Sequence, residues 1–228
     1  MLWLCAGGLA SAADVPVDIG PSRITAGVTS YRARRDASVV KQQRDYSCGA
    51  AAFATLLNFG FGDPIREDEI LDSVFADADE KAQRIIENKG LSLLDLKTLA
   101  EARGYRAHAF RIRADQLRQI SRPVIVFIRP HGYEHFAVLK GVRGDRVYLA
   151  DPSQGNWRMP MFRFLDMWSG EDGRGVLFAV ERPDGTWLDN MALVAPADAG
   201  TAAVEVQGVR GLLETGRTAQ PGETGRTR

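Results

Sequence analysis

The sequence predicts an α+β fold, in which helices near the N-terminus pack on one side of an antiparallel β-sheet. The order of patterns leads to this prediction: residues 45–104 have helical periodicity and caps, whereas residues 105–180 contain mainly extended, apolar runs. Length and composition agree with it. A chain of 228 residues that is 45% hydrophobic and 25% charged can form one domain with a real core.

The first half of the chain predicts a strand followed by three helices. Residues 24–35 alternate imperfectly, which favours one strand or a short hairpin. Residues 48–59 are almost wholly apolar, as is typical of a buried helix, and Gly60 ends this segment. A second helix begins after Pro64 with an acidic turn, and a third begins at Ser92, which is placed as its N-cap.

The second half predicts the strands of the sheet and two short helical links. Strands are expected at residues 105–112, 123–128, 135–142, 146–150 and 176–180, and helical links at 114–120 and 161–168. The third and fourth of these strands form a hairpin around Gly144 and Asp145. Antiparallel neighbours of this kind complete the α+β arrangement.

Residues 1–13 are typical of a secretory signal. They are apolar or small, and they end in an Ala-Ser-Ala-Ala stretch that suits a cleavage site. No Lys or Arg precedes Arg23, so we expect that the true start of translation lies elsewhere and that the signal is truncated at its start. A buried N-terminal helix is the alternative, which Gly7 and Gly8 disfavour. Export to the periplasm or the cell exterior would remove Cys5 with the signal.

The C-terminal segment, residues 195–228, predicts a disordered tail. It is rich in Ala, Gly, Thr and Pro, it has no aromatic residue, and the Glu-Thr-Gly-Arg-Thr of residues 214–218 recurs at 223–227. Such low-complexity sequence cannot bury enough apolar surface to offset the entropy of ordering. The folded domain is therefore expected at residues 24–190.

Composition and motifs exclude several kinds of partner. Since 29 basic residues balance 29 acidic ones, the basic excess that suits nucleic acid or an anionic membrane is missing. The apolar runs are too short for an integral membrane segment, and two cysteines are too few for a disulfide scaffold. No Walker-type loop for ATP and no zinc-type ligand spacing occurs. We expect no metal and no other cofactor.

Cys48 is the candidate nucleophile. It stands at the start of a helix, where free N–H groups and partial positive charge favour the thiolate. A lone cysteine is more often a small buried hydrophobe, so its neighbours decide between the two interpretations. Gln42 precedes Cys48 by six residues, and its amide together with the Cys48 N–H can supply two donors to an oxyanion. Gln43 is the alternative donor.

His135 and Asp151 are the candidate base and its carboxylate partner, because they begin and end the two strands of the hairpin. With a three-residue turn at 143–145, Ala137 lies directly opposite Asp151. His135 is then the diagonal neighbour of Asp151 on the same face of the sheet. A two-residue turn would place them on opposite faces. When both residues lie on one face, the Asp151 carboxylate can bind one ring nitrogen of His135 and leave the other nitrogen for the Cys48 thiol.

These motifs together resemble a known family. The Gln42-to-Cys48 spacing with Gly49, the run His-Phe-Ala-Val-Leu at 135–139 and the Ala-Asp-Pro at 150–152 resemble the bacteriocin-processing, double-glycine leader peptidases, a papain-like cysteine peptidase family. The likeness covers residues 39–181. It implies that Cys48 is the nucleophile, His135 the general base and acid, Asp151 the orienting carboxylate and Gln42 the oxyanion donor. The best-known members are fused to an ATP-driven exporter, and this chain looks more like stand-alone exported relatives.

We therefore expect a papain-like cysteine peptidase that is exported, acts on a peptide or protein substrate and forms an acyl-enzyme. A non-catalytic peptide-binding module on the same fold is one alternative. A cysteine amidase or acyltransferase is another, because a triad fixes the reaction class and leaves the substrate open. Trp157, Phe164 and Trp168 are expected either to line a substrate groove or to belong to the core.

Overall fold

The computed structural model describes residues 13–19 and 22–195 of the chain. The predicted signal lies outside the described residues except for Ala13, and so does the predicted tail except for Ala195. The first described element is an antiparallel hairpin of β1 (Ala13–Ile19) and β2 (Ser22–Val28). A hairpin in this region agrees with one of the two predicted forms, although it starts earlier and ends at Val28.

The helical layer contains α1 (Tyr31–Asp36), α2 (Cys48–Leu56), α3 (Glu67–Asp77), α4 (Glu80–Lys89) and α5 (Leu93–Ala102). All nine residues of α2 are buried, as its apolar sequence predicts. The predicted end at Gly60 is wrong: a π-helical turn (Leu57–Phe61) continues α2, and Gly62 ends it with a φ of 69°. No helix within the described ranges has the length and apolar character needed to cross a membrane.

Two of these helices were not predicted. In α1, which occupies the end of the expected strand, the Ser30 hydroxyl accepts the Ala33 N–H and caps a new helix. In α4, the Asp79 carboxylate accepts the Ala82 N–H at 2.7 Å, and Gly90 ends the helix. Most of α4 is polar, so only Ile86 is fully buried, and its apolar signal in the sequence is correspondingly weak.

The main sheet has six strands in the order β3-β8-β4-β5-β6-β7, and all neighbouring pairs are antiparallel. Its strands are β3 (Arg106–Arg113), β4 (Val124–Ile128), β5 (His135–Arg143), β6 (Arg146–Asp151), β7 (Gly155–Pro160) and β8 (Arg174–Glu181). Of these, β7 was not predicted. A short 3-10 helix (Ala114–Gln119) and α6 (Met161–Trp168) occupy the two predicted helical links.

The sheet separates two hydrophobic cores. Alternate residues of one strand enter different cores: Val138 packs with α2, whereas Leu139 packs with Phe164 and Trp168 of α6. The predicted α+β class, with N-terminal helices on an antiparallel sheet, is confirmed, and α6 covers the opposite face. Phe164 and Trp168 are at most 2% exposed and therefore belong to the core. Trp157 is half-buried against the same core.

The β5–β6 hairpin corrects the predicted turn. Arg143 pairs with Arg146, so the turn has two residues and not three. The register then shifts between Leu139 and Gly141, which leaves Lys140 as an extra residue in β5. A β-bulge of this kind changes which residues share a face, just as a longer turn would. The one-residue offset that brings His135 and Asp151 together therefore lies in strand β5, at Lys140, and not in the turn.

Candidate active site

The start of β5 lies against the start of α2. Phe136 is 5% exposed, and a Cβ atom built on Gly49 would lie 3.3 Å from its Cδ2 atom. The absence of a side chain at Gly49 thus permits close packing of the strand on the first turn of the helix. Cys48 and His135, which precede these two contacting residues, are thereby brought together from distant parts of the sequence.

His135 and Asp151 form the charged centre of the site. Nε2 of His135 donates to Oδ1 of Asp151 at 3.0 Å, and the Asp151 side chain is 2% exposed. The same oxygen also accepts the Ser153 N–H at 2.7 Å, the Ser153 hydroxyl at 2.9 Å and the Gln154 N–H at 3.0 Å. The turn after β6 therefore fixes the carboxylate, which in turn orients the ring and leaves Nδ1 for another partner.

The surroundings of His135 favour its protonated form. Burial opposes the charge, but hydrogen bonds with Asp151 and Cys48, and the negative charge of both, raise the pKa of His135 from 6.5 to about 9. Burial also opposes ionisation of Asp151, yet its hydrogen bond and charge interaction with His135 lower the pKa of the carboxyl. The site therefore supports an imidazolium held between a carboxylate and the sulfur of Cys48, which is 7% exposed.

Gln42 lies on the loop that leads into α2. Its N–H donates to the carbonyl of Pro152 at 3.1 Å, which joins this loop to the residue after Asp151. Its side-chain Nε2 donates to the carbonyl of Arg44 at 3.0 Å, while its Oε1 is buried without a hydrogen-bond partner in the described part of the chain. An amide nitrogen carries two hydrogens, so one remains for a substrate oxygen. The alternative donor, Gln43, is exposed.

A groove of about 540 Å³ extends from Cys48 between α4, α5 and the sheet. Apolar side chains dominate its lining, which includes Ile85, Ile86, Leu91, Leu93, Phe127, Phe136 and Val176, with the charged residues Lys89, Asp95, Arg129 and Glu134. The aromatic residues considered from the sequence, Trp157, Phe164 and Trp168, do not line this groove. Within residues 29–195, no group of three or more His, Cys, Asp or Glu side chains is arranged to bind a metal.

The groove wall formed by α4 was missed because that helix was not predicted. The sequence does contain a weak signal for it: Asp79 is a good N-cap, Gly90 a good C-terminal residue, and Ile85 with Ile86 supplies an apolar face. Which surface those isoleucines cover depends on the packing of α4 against α5 and the sheet, and local pattern does not determine that packing.

Comparison with known proteins links this geometry to a family. The model of the peptidase C39 family matches residues 36–172. The probable functional amyloid protease FapD of Pseudomonas aeruginosa is 40% identical over 153 residues, which cover 67% of this chain and 64% of that protein. The match therefore spans less than two thirds of the length of FapD.

Two further similarities are to transport proteins, one in sequence and one in fold. The lactococcin-G-processing and transport ATP-binding protein LagD of Lactococcus lactis is 28% identical over 135 residues, which cover 58% of this chain and 18% of LagD. The solved peptidase domain of Streptococcus ComA, a bifunctional ABC transporter involved in quorum sensing, is 17% identical with a TM-score of 0.51. That likeness covers 63% of this chain and 97% of the solved domain, and it concerns the fold alone.

Proposed function

The chain belongs to the peptidase C39 family of cysteine peptidases, and from that premise we propose that it cleaves peptide bonds with Cys48, His135, Asp151 and Gln42. One observation carries this proposal: His135, which is hydrogen-bonded at 3.0 Å to the buried Asp151, interacts with the cysteine at the start of a buried helix. A cysteine, a histidine and a third polar side chain that orients the histidine, in the same relation, activate thiol nucleophiles on papain-like folds.

The proposed reaction begins with attack of the Cys48 thiolate on the substrate carbonyl carbon. The resulting oxyanion accepts hydrogen bonds from the Gln42 amide and from the backbone N–H of Cys48, which has no partner within its helix. The His135 imidazolium donates its proton to the leaving amine, and the C–N bond breaks to leave an acyl-enzyme. Neutral His135 then removes a proton from water, whose attack releases the acid and regenerates the thiolate.

The apolar lining of the groove beside Cys48 favours a substrate that is a peptide or protein segment with apolar side chains. Burial of one large apolar side chain there contributes about 1.5–3 kcal/mol, enough to select such a segment. LagD is named for the processing of lactococcin G and FapD is named a probable functional amyloid protease, so we propose peptide processing for this chain too. A double-glycine sequence before the cleaved bond is the first sequence to test.

A fluorogenic peptide with Gly-Gly before the scissile bond, used beside a random peptide library, tests this function. Wild type should release product, and Cys48→Ala should release none. His108→Ala is the matched control, because this exposed histidine lies on β3 and does not line the site. Peptide binding without turnover would favour a non-catalytic binding module. Transfer of the acyl group to an amine instead of water would favour an acyltransferase.

We also propose that the protein is exported, on the strength of the apolar stretch and small-residue end of residues 1–13. Expression of the full sequence in a Gram-negative host, followed by fractionation and N-terminal sequencing, tests this proposal. The mature protein is expected outside the cytoplasm, with its N-terminus near Asp14. Uncleaved protein in the cytoplasm would contradict it.

A further inference from the structure

Glu67 is a buried carboxylate that the reaction as described does not use. It is the first residue of α3, and it is 4% exposed. It forms no ion pair with any Lys, Arg or His in the described ranges, and its hydrogen-bond partner there is the N–H of Gln43, at 3.1 Å from Oε1 and 3.2 Å from Oε2. Burial of a carboxylate is costly without such compensation. The start of α3 offsets part of that cost through its helix dipole.

Glu67 contacts Gln43, the residue that follows the proposed oxyanion donor Gln42. The peptide N–H before the Gln42 Cα donates to Pro152 O at 3.1 Å. The peptide N–H after that Cα, which belongs to Gln43, donates to Glu67. Each peptide unit is planar, so fixing the planes on both sides of one Cα fixes its φ and ψ, and with them the direction of its Cβ. The two anchors thus set the direction in which the Gln42 side chain leaves the backbone.

The orientation of the Gln42 side chain depends on these two backbone hydrogen bonds. Its described hydrogen bond, to the carbonyl of Arg44, is local and leaves Oε1 without a partner. An oxyanion donor must lie within about 2.7–3.1 Å of the developing charge, so a small rotation of the backbone removes its effect. A hydrogen bond from N–H to a carboxylate is stronger than one to an amide, which suits Glu67 to this task.

We propose that Glu67 is a positioning residue for the oxyanion hole: its carboxylate holds the Gln43 peptide group and thereby aims the Gln42 amide. This role rests on the proposed function of Gln42 and Cys48. Glu67 does not contact the substrate carbonyl, and it acts only through Gln42. Its effect should therefore disappear when the Gln42 amide is absent.

A double-mutant cycle with the Gly-Gly fluorogenic peptide tests the proposal. Gln42→Ala should lower kcat by about 10²–10³-fold, and Glu67→Gln should lower it by about tenfold with KM unchanged. In the Gln42→Ala background, Glu67→Gln should change kcat by less than about twofold, because the group it positions is gone. Glu101→Gln is the matched control on α5, where the exposed carboxylate only pairs with Lys97.

Two further readouts separate positioning from a general loss of structure. Iodoacetamide should alkylate Cys48 at the wild-type rate in Glu67→Gln, since alkylation forms no oxyanion. Exchange of the Gln43 amide hydrogen should accelerate at least tenfold in Glu67→Ala. Glu67→Asp, which keeps the charge but shortens the reach, should lose kcat as Glu67→Gln does.

Additive losses in the double mutant, an unchanged Gln43 exchange rate or a parallel loss of alkylation would each overturn the positioning role. Those results would leave the proposed function intact, provided that wild type hydrolyses the peptide and Cys48→Ala does not. No hydrolysis by wild type of either the Gly-Gly peptide or the library would instead overturn the proposed function, and the role of Glu67 with it.

Discussion

The sheet side of the site, next to Cys48, and its helix side, along the groove, differ in chemistry. On the sheet side, the part-buried His135 and the buried Asp151 are charged and held by fixed hydrogen bonds at the ends of two strands. On the helix side, α4 and α5 present an apolar surface, of which Ile85 is 49% exposed. The sheet therefore supplies the acid–base pair that acts on Cys48, and we expect α4 and α5 to supply the surface that selects the substrate. Substitutions should therefore affect kcat on one side and KM on the other.

The largest effect is expected at His135. Replacement of His135 by Ala removes both the general acid and the cation beside the thiolate, so kcat/KM should fall by about 10⁴-fold. Alkylation of Cys48 by iodoacetamide at pH 6 should also slow. Both rates are compared with those of His108→Ala, which should match wild type. Equal alkylation rates in wild type and His135→Ala would exclude the ion pair.

The bulge at Lys140 provides the next test of the sheet side. Deletion of Lys140 removes the extra residue of β5, so His135 and Asp151 should move to opposite faces and kcat should fall by about 10³-fold. Insertion of one glycine after Gly144 in the same variant lengthens the turn and should restore part of the activity. Circular dichroism checks that both variants fold. Full activity of a folded deletion variant would show that the register does not control the pair.

The free energy of unfolding should change gradually with pH, which is a smaller effect. Because folding raises the pKa of His135 from 6.5 to about 9, the stabilisation from its protonation is fully present below pH 6.5 and is lost as the pH rises through about 9. The free energy of unfolding in urea should thus fall by about 3 kcal/mol between pH 6 and pH 9.5, relative to Asp151→Asn. A difference that stays constant with pH would contradict the charged pair.

The decline of kcat/KM at high pH should follow the deprotonation of His135. Hydrolysis needs the imidazolium as general acid, so kcat/KM should decline as the pH rises through about 9. Asp151→Asn removes the carboxylate that favours the cation and should move this decline to lower pH. A profile of kcat/KM from pH 5 to pH 10 measures both limbs, and an unshifted decline in Asp151→Asn would argue against Asp151 as the orienting carboxylate.

The smallest effect belongs to the helix side. Ile85→Lys places a charge in the apolar groove and should raise KM about tenfold, with kcat nearly unchanged. Leu94→Lys is the matched control, because Leu94 is an exposed apolar residue of α5 that does not line the groove. Equal KM values for the two variants would remove the groove from substrate recognition. A fall in kcat instead would break the division between the two sides.

The sequence predicted the sheet side better than the helix side, for physical reasons. The α+β class is confirmed by the architecture, and the family match confirms the prediction of a cysteine peptidase of this family. The helix that starts at Cys48 follows from its unbroken apolar run, which has few alternatives to burial. His135 and Asp151 lie 3.0 Å apart, although a bulge in β5 and not the predicted three-residue turn brings them together. The catalytic roles of these residues, like that of Gln42, stay predictions.

Features that depend on tertiary packing were not predictable in the same way. The bulge at Lys140 has only a weak local signal, the glycine that follows it: Gly141 has a φ of 142°, and a glycine inside a strand often marks a bulge. The helix α4 is mostly polar and gains stability from contacts with distant residues, so its propensity alone did not mark it. Glu67 lies in an acidic turn that resembles ordinary helix capping, and only the folded loop shows that it binds Gln43.

Whether Cys48 is the nucleophile is tested by an intact-mass measurement of the enzyme, acid-quenched during turnover of an ester of the Gly-Gly peptide. We expect a mass increase equal to the acyl part of the peptide, located on the fragment that contains Cys48 and absent in Cys48→Ala. Hydrolysis that continues in Cys48→Ala, or an adduct on a different residue, would contradict it.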